Sequence, residues 1–327
     1  MRPCWKPVLL CAVVLLGSTA PTGSFPIPTN VDVPAVADAP EPVDTPTPAD
    51  ADSQDSLTIG RATRDVALEE RRWQGLLARL NGVSALPRID LRITSSTAGL
   101  LWDPWDDKTH VFVGDPFVAA SLIREIAAIP LFVIDELEPS SQRAVIVVRK
   151  PDGDLHPGDL LGRSLAFSRH GSSLAHLLPH STLLRRGLAV AERPGDQEIA
   201  TDQVAFFHLH DDRSPLMWLY RSSLGARAAA VSMQDFRAIE RRRPGLFQPV
   251  LVSPPIPIAV AIASPGVDAA MRSLLIEHLE DARQELFEAL GIVHGSRARL
   301  RAVDDADPEI VDLLQWLHLV EAAANVR

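Results

Sequence analysis

The stretch "LAFSRHGSSLAHLLP", residues 165–179, concentrates side chains able to bind or react. Leu165, Ala166 and Phe167 read as a strand, Gly171 breaks the run, and Ser172 and Ser173 stand where a helix starts. A helix start leaves backbone N–H groups unpaired and carries the positive end of the helix dipole. Two hydroxyls there suit either a plain cap or a held anion. Histidines gather around this stretch: six of the ten (His156, His170, His176, His180, His208 and His210) fall between 156 and 210. His176 and His180 are four apart on a predicted helix, and His208 and His210 two apart on a predicted strand. Such spacings can present paired ligands to a metal. No cysteine or well-placed glutamate joins them, so they read as structural histidines and no metal is assigned. Ser172 has no G-x-S-x-G elbow around it and no evident base partner, so it does not read as a nucleophile. The chain reads as a non-enzyme with no cofactor.

The elements that must position these residues alternate along the chain. "LTIG" (57–60), "RIDLRI" (88–93) and "HVFVG" (110–114) read as strands. Apolar residues Leu68, Trp73, Leu76, Leu77 and Leu80 recur at helical spacing, and a second helix is predicted over 116–129, with Pro116 in its first turn. After "AVIVVRK" (144–150) the pattern restarts: "SLAFS", a helix from Ser172 to about Arg186, "VAFFHLH" (204–210), a helix through "PLMWLYRSSLG" and "ARAAAVS" (226–232). Two apolar runs in 249–263 and helices over 267–290 and 308–324 complete the chain. Such alternation predicts an α/β fold of two lobes, each a mainly parallel sheet flanked by helices. Extended crossings near 144–150 and 249–257 would join the lobes as a hinge, giving lobe I as 57–147 with 250–327 and lobe II as 148–249. In such folds ligands sit beyond the carboxyl ends of strands, where "LAFS" meets Gly171.

The 327-residue chain has a net charge of −10, unevenly placed. Between Lys6 and Arg61 there is no basic residue, while Asp32, Asp38, Glu41, Asp44, Asp50, Asp52 and Asp55 are acidic. No basic stripe is present, which excludes the electrostatic footprint of a nucleic-acid binder. Arg2 and Lys6, the apolar run "VLLCAVVLL" and the small residues of "GSTA" form a secretory leader over 1–20, shorter than a spanning helix requires. Pro21 directly after Ala20 disfavours cleavage there, so an uncleaved anchor stays open. Both cysteines, Cys4 and Cys11, lie in this leader. Residues 21–56, with eight prolines and few large apolar side chains, read as an extended disordered linker.

From about Leu57 to the end the chain resembles the phosphate, phosphite and phosphonate substrate-binding proteins of ABC transporters. The resemblance rests on "VIVVRKPDGDLHPGDLLGRSLAFSRHGSSLAHLLP" (145–179), together with "AGLLW" (98–102), "VFVGDP" (111–116), "HLHDD" (208–212), "ARAAAVSMQDF" (226–236) and "SPPIP" (253–257), in the family's order. It implies a type II periplasmic-binding-protein fold that captures a small oxyanion between the lobes, for transport through an ABC permease or for sensing. It implies that Ser172 and Ser173, at the Gly171 turn, hold the anion's oxygens and that His210 contacts it from the second lobe. Thr97 stands at an aromatic pocket position, with Val113 and Ala119 at two others, and Ser232 stands where the family has an acidic residue. Leu174 and Ala175 replace a hydroxyl and a glycine, and Tyr220 is the single tyrosine, so no tyrosine-lined pocket exists.

These departures keep a second reading open, a membrane-tethered interaction domain that has the fold but no anion binding. On either reading the chain is exported, with any membrane contact through its N-terminus. N-terminal sequencing of exported material tests the leader: a start at about Pro21 or later marks cleavage, and a retained Met1 marks an anchor.

Overall fold

In a computed structural model, the described residues are 56–63, 65–94, 109–136, 142–150, 155–168, 171–193, 199–209, 215–221, 227–292 and 297–325. The leader, nearly all of the linker, Thr97, His170 and His210 lie outside them. Two six-stranded sheets organise the fold. The first runs β2 (Arg88–Thr94), β1 (Ser56–Ala62), β3 (Val111–Gly114), β11 (Ala259–Ala263), β4 (Ile129–Glu136), β12 (Ala298–Ala302). The second runs β7 (Ala189–Glu192), β8 (Gln203–His208), β6 (Ser164–Phe167), β9 (Ala228–Ser232), β5 (Ala144–Arg149), β10 (Phe247–Val252). Pairing is parallel along β2–β1–β3 and along β7–β8–β6–β9. It turns antiparallel at β11, β4 and β12 in the first sheet and at β5 and β10 in the second. Most strands of each sheet thus share one direction, as the alternation predicted.

Side-chain alternation fills both faces of each sheet. In β11, Ala259, Ala261 and Ala263 face the cluster under helix α1 (Val66–Asn81), while Val260 and Ile262 face the opposite cluster. In β5, Ile146 and Val148 join one core of the second sheet, and Val145 and Val147 the other. A strand buried on two sides reads as an unbroken apolar run, as β5 does, and the edge strand β10 is apolar over 249–252 although Pro249 and Val252 are exposed, so both runs resemble bare crossings. They are paired strands of the second sheet, and the connections between sheets are shorter, over 137–143 and 253–258. Backbone contacts tie these connections together: Ile256 N–H donates to the Gln142 carbonyl at 2.9 Å and Ser253 N–H to the Ala144 carbonyl at 3.0 Å. The Ser253 hydroxyl accepts from Ala144 N–H at 2.8 Å.

Several helices differ from their predicted bounds. Helix α2 (Pro116–Ile126) stops three residues early because Ala127 takes a left-handed conformation at φ 54°, which releases Ile129 into the unpredicted strand β4. The helix predicted over 267–290 is two, α6 (Ala269–Asp281) and α7 (Arg283–Ala289), separated at Ala282. Strands β7 and β12 also escaped the sequence reading, being short edge strands with little apolar patterning. The helix expected from Ser172 opens with a π-helical turn, Ser173–Leu177, and continues as α3 (Leu178–Arg185). Among the described residues no helix is long and apolar enough to cross a membrane.

The segment from Ser173 to Arg185 follows β6 of the second sheet and packs on both lobes, with Leu183 in the core of the second. Leu174, Leu177 and the fully buried Leu178 join Phe117 of α2 and Leu313 and Trp316 of the C-terminal helix α8 (Pro308–Asn325) in one apolar cluster. The Arg185 guanidinium lies over the Trp316 ring, 5.7 Å from its centroid. Leu178→Ala should therefore weaken both lobes together. Urea unfolding is expected to show one transition displaced by about 2–5 kcal/mol, the usual cost of a buried leucine truncation. A second, separate transition would show that the lobes do not share this core.

Candidate functional site

Three helices begin where strands of the two sheets end, and each opens on a capping side chain. Asp115 follows β3, Ser172 and Ser173 follow β6, and Ser232 ends β9 before helix α5 (Met233–Arg242). The carboxyl ends of strands in an open α/β sheet are the usual place for a ligand, because helix N-termini converge there. β9 and the Ser173–Leu177 turn are packed neighbours.

Each side chain already has a task. The Ser172 hydroxyl accepts from Ala175 N–H at 3.4 Å, a long capping bond. The Ser173 hydroxyl donates across to the other lobe, lying 2.6 Å from both carboxylate oxygens of Asp115. Asp115 Oδ1 also accepts from Phe117 N–H at 2.9 Å and Val118 N–H at 3.3 Å, capping α2. Ser232 is occupied locally: its hydroxyl accepts from Asp235 N–H at 3.0 Å and donates to Asp235 Oδ2 at 2.7 Å. Gly171 supplies the turn itself, at φ 81°, a conformation that L side chains rarely adopt. Its N–H donates to His176 Nδ1 at 3.1 Å.

The predicted histidine cluster exists as a packed group of rings in the second lobe. His176 meets His208 edge-on with centroids 4.4 Å apart, and His176 and His180 flank Phe167 and Phe206. A carbonyl can only accept, so the contact between His208 Nδ1 and the Ser168 carbonyl at 2.9 Å places the proton on that nitrogen. The same logic places the His176 proton on Nε2, since its Nδ1 accepts from Gly171. His176 and His208 thus brace the two sides of the turn that presents Ser172 and Ser173. Among the described residues no group of three histidine, cysteine or carboxylate side chains has the arrangement of a metal site.

Asp115 is the aspartate of "VFVGDP" (111–116). An Asp directly before a Pro at a helix start is a legible capping signature, but its reach to Ser173 across 58 residues is not. Withdrawal of the carboxyl from water pushes its pKa above the ordinary carboxylate range. The Ser173 hydroxyl, the two backbone N–H groups and the Arg61 charge oppose that rise without cancelling it. Arg61 is itself held below β3, its guanidinium donating to the Val113 carbonyl and to Glu69, while Glu69 accepts from Trp73 Nε1 at 3.1 Å. Gly114 permits this approach, since a Cβ there would come within 2.8 Å of the Arg61 guanidinium.

A group whose folded pKa is raised holds its proton more tightly in the native state, so stability falls as pH rises from the unfolded carboxyl value to the folded one. Asp115→Asn keeps the cap and removes the titration. The melting temperature of the variant relative to the unaltered chain should climb as pH rises through that window. Parallel melting curves at every pH would show that Asp115 does not titrate in this way.

A family model described as "ABC transporter, phosphonate, periplasmic substrate-binding protein" matches residues 62–307. Among solved structures, XAC2383 from Xanthomonas citri bound to chloride ion superposes with a TM-score of 0.65 at 20% identity, covering 84% of this chain and 100% of that one. The same protein bound to ATP gives 0.65 at 19% identity, with 83% and 98% covered. PhnD1 from Prochlorococcus marinus in complex with methylphosphonate gives 0.55 at 10% identity, covering 82% and 98%. At these identities the structural likeness speaks for the fold. No curated protein matches the sequence.

Proposed function

The chain belongs to the periplasmic substrate-binding family of phosphonate ABC transporters, and from that premise we propose that it is an exported solute-binding protein that captures a small oxyanion of the phosphate, phosphite or phosphonate type. The observation that carries this reading is the facing of two helix starts across the lobes, Ser172 and Ser173 on one side and the Asp115-capped α2 on the other. Backbone N–H groups and hydroxyls converge there, and helix dipoles favour negative charge without a lysine. The tether over 21–56 would hold the binding domain near a permease. Thr97, Gly171, His210 and Ser232 are the further positions proposed to line the cleft, Gly171 through its turn. The mechanism involves no bond making: the anion favours the lobe arrangement that contacts it best, by its differential affinity.

A second reading, a tethered interaction domain that has lost its anion, draws support from the Ser173 hydroxyl already having a partner. A thermal-shift screen against phosphate, phosphite, methylphosphonate and sulfate separates the two. An anion present at 100-fold its Kd should stabilise the fold by about 2.7 kcal/mol. No shift at millimolar concentration of any of the four favours the interaction domain.

Ser172→Ala and Ser173→Ala divide cradle from cap. Loss of a charge-assisted hydrogen bond to the anion should cost roughly 1.5–3 kcal/mol of binding each, about a tenfold to hundredfold rise in Kd. Loss of a cap alone should cost about 1 kcal/mol of folding stability. Titration calorimetry and melting on the same variants read both quantities, and an unchanged Kd in the double variant would remove these serines from the site.

A further inference from the structure

The Ser173–Asp115 contact is built like a ligand contact whose ligand belongs to the chain. The Asp115 carboxylate draws donors from both lobes: the Ser173 hydroxyl from the second, and the Phe117 and Val118 N–H groups from the first. The hydroxyl stands 2.6 Å from both oxygens, sharing its one proton between them. Ser173 is 6% exposed, so this pairing is shielded from water and its electrostatics are weakly screened. The one cation acting on the carboxylate, among the charges described around it, is Arg61, which also pairs with Glu69.

We infer that Asp115 is an internal competitor: its carboxyl group engages the Ser173 hydroxyl across the lobes, adds a polar tie to the apolar packing there, and competes with any free oxyanion for the same donor. This inference rests on the reading of Ser172 and Ser173 as the anion cradle. An incoming phosphonate meets the Asp115 carboxyl at short range and takes Ser173 only when Asp115 lets go, which lowers its apparent affinity by the fraction of chain held in the internal contact.

Two variants separate charge from reach while keeping α2 capped. Asp115→Asn retains an acceptor for Ser173 and loses the charge; Asp115→Ser retains a capping oxygen but falls short of Ser173. In the full chain, with Cys4 and Cys11 replaced by serine, dyes at Arg88→Cys and Ala189→Cys on the outer strands of the two sheets report the interlobe distance by energy transfer. Circular dichroism controls for folding. In anion-free buffer the Asp115→Ser chain should show a longer interlobe distance than the unaltered one. Calorimetry with methylphosphonate should show at least tenfold tighter binding by Asp115→Asn than by the unaltered chain. An unchanged distance in Asp115→Ser overturns the internal latch. Equal affinity in Asp115→Asn and the unaltered chain overturns the competition and leaves oxyanion capture standing. If none of the chains binds phosphate or methylphosphonate, oxyanion capture falls, and the dye distance still decides whether Asp115 holds the lobes.

Discussion

Burial of the helical segment that follows Gly171 against the opposite lobe governs most of what surrounds it. Leu174, Leu177 and Leu178 leave the second sheet and enter a core made by Phe117, Leu313 and Trp316 of the first. The fully buried Leu178, with Leu174 and Leu177 half-buried beside it, supplies an apolar attraction of about 2–4 kcal/mol, larger than a typical hydrogen bond at the lobe junction. That attraction fixes where Ser173 stands. The paired connections at Gln142–Ile256 and Ala144–Ser253 then restrict how the lobes turn about each other. The candidate site is placed by packing and trimmed by polar contacts.

Charge is handled sparingly at the junction. Asp115 sits withdrawn from water with its pKa raised, beside a single guanidinium already committed to Glu69. The N–H donors of α2 and the Ser173 hydroxyl do the remaining work of holding the carboxylate. Stabilisation by hydroxyls and N–H dipoles suits a site that must accept and release an anion, since dipoles hold charge without the strong pairing of a lysine or arginine. A different solution holds the far edge of the first sheet, where Arg301 of β12 pairs with Asp307 and Glu309 and lies near Asp135. That network bridges the last strand to the start of α8.

The histidines show how one residue type can suggest one chemistry and perform another. Spacings of four and two residues are compatible with metal ligation, but the fold turns His176, His180 and His208 onto Phe167 and Phe206. Ring nitrogens of two of them serve the backbone instead: His176 receives the Gly171 N–H and His208 donates to the Ser168 carbonyl. Both contacts stiffen a turn whose own sequence, with a left-handed glycine and a π-helical start, would otherwise be loosely specified.

Local patterns in the sequence determined most element types, the α/β class and the helix starts at Pro116 and Ser172, whereas the helix after Ser232 was not read from them. Each depends on neighbours within a few residues: apolar period, a proline in a first turn, a hydroxyl or carboxylate before a helix. The same locality explains what was missed. Strand β4 went unpredicted because "AAIPLFVI" runs apolar from the end of the predicted helix onward, and no period marks where the helix stops and a doubly buried strand begins. The edge strands β7 and β12 carry little pattern because only their neighbours make them strands. Tertiary structure alone decided that the segment after Gly171 packs on the other lobe, that Ser173 meets Asp115, and that the histidines brace a turn. These contacts join residues 58, 40 or more than a hundred positions apart. Their energy comes from water being excluded where two lobes meet, a condition that no short stretch of sequence contains.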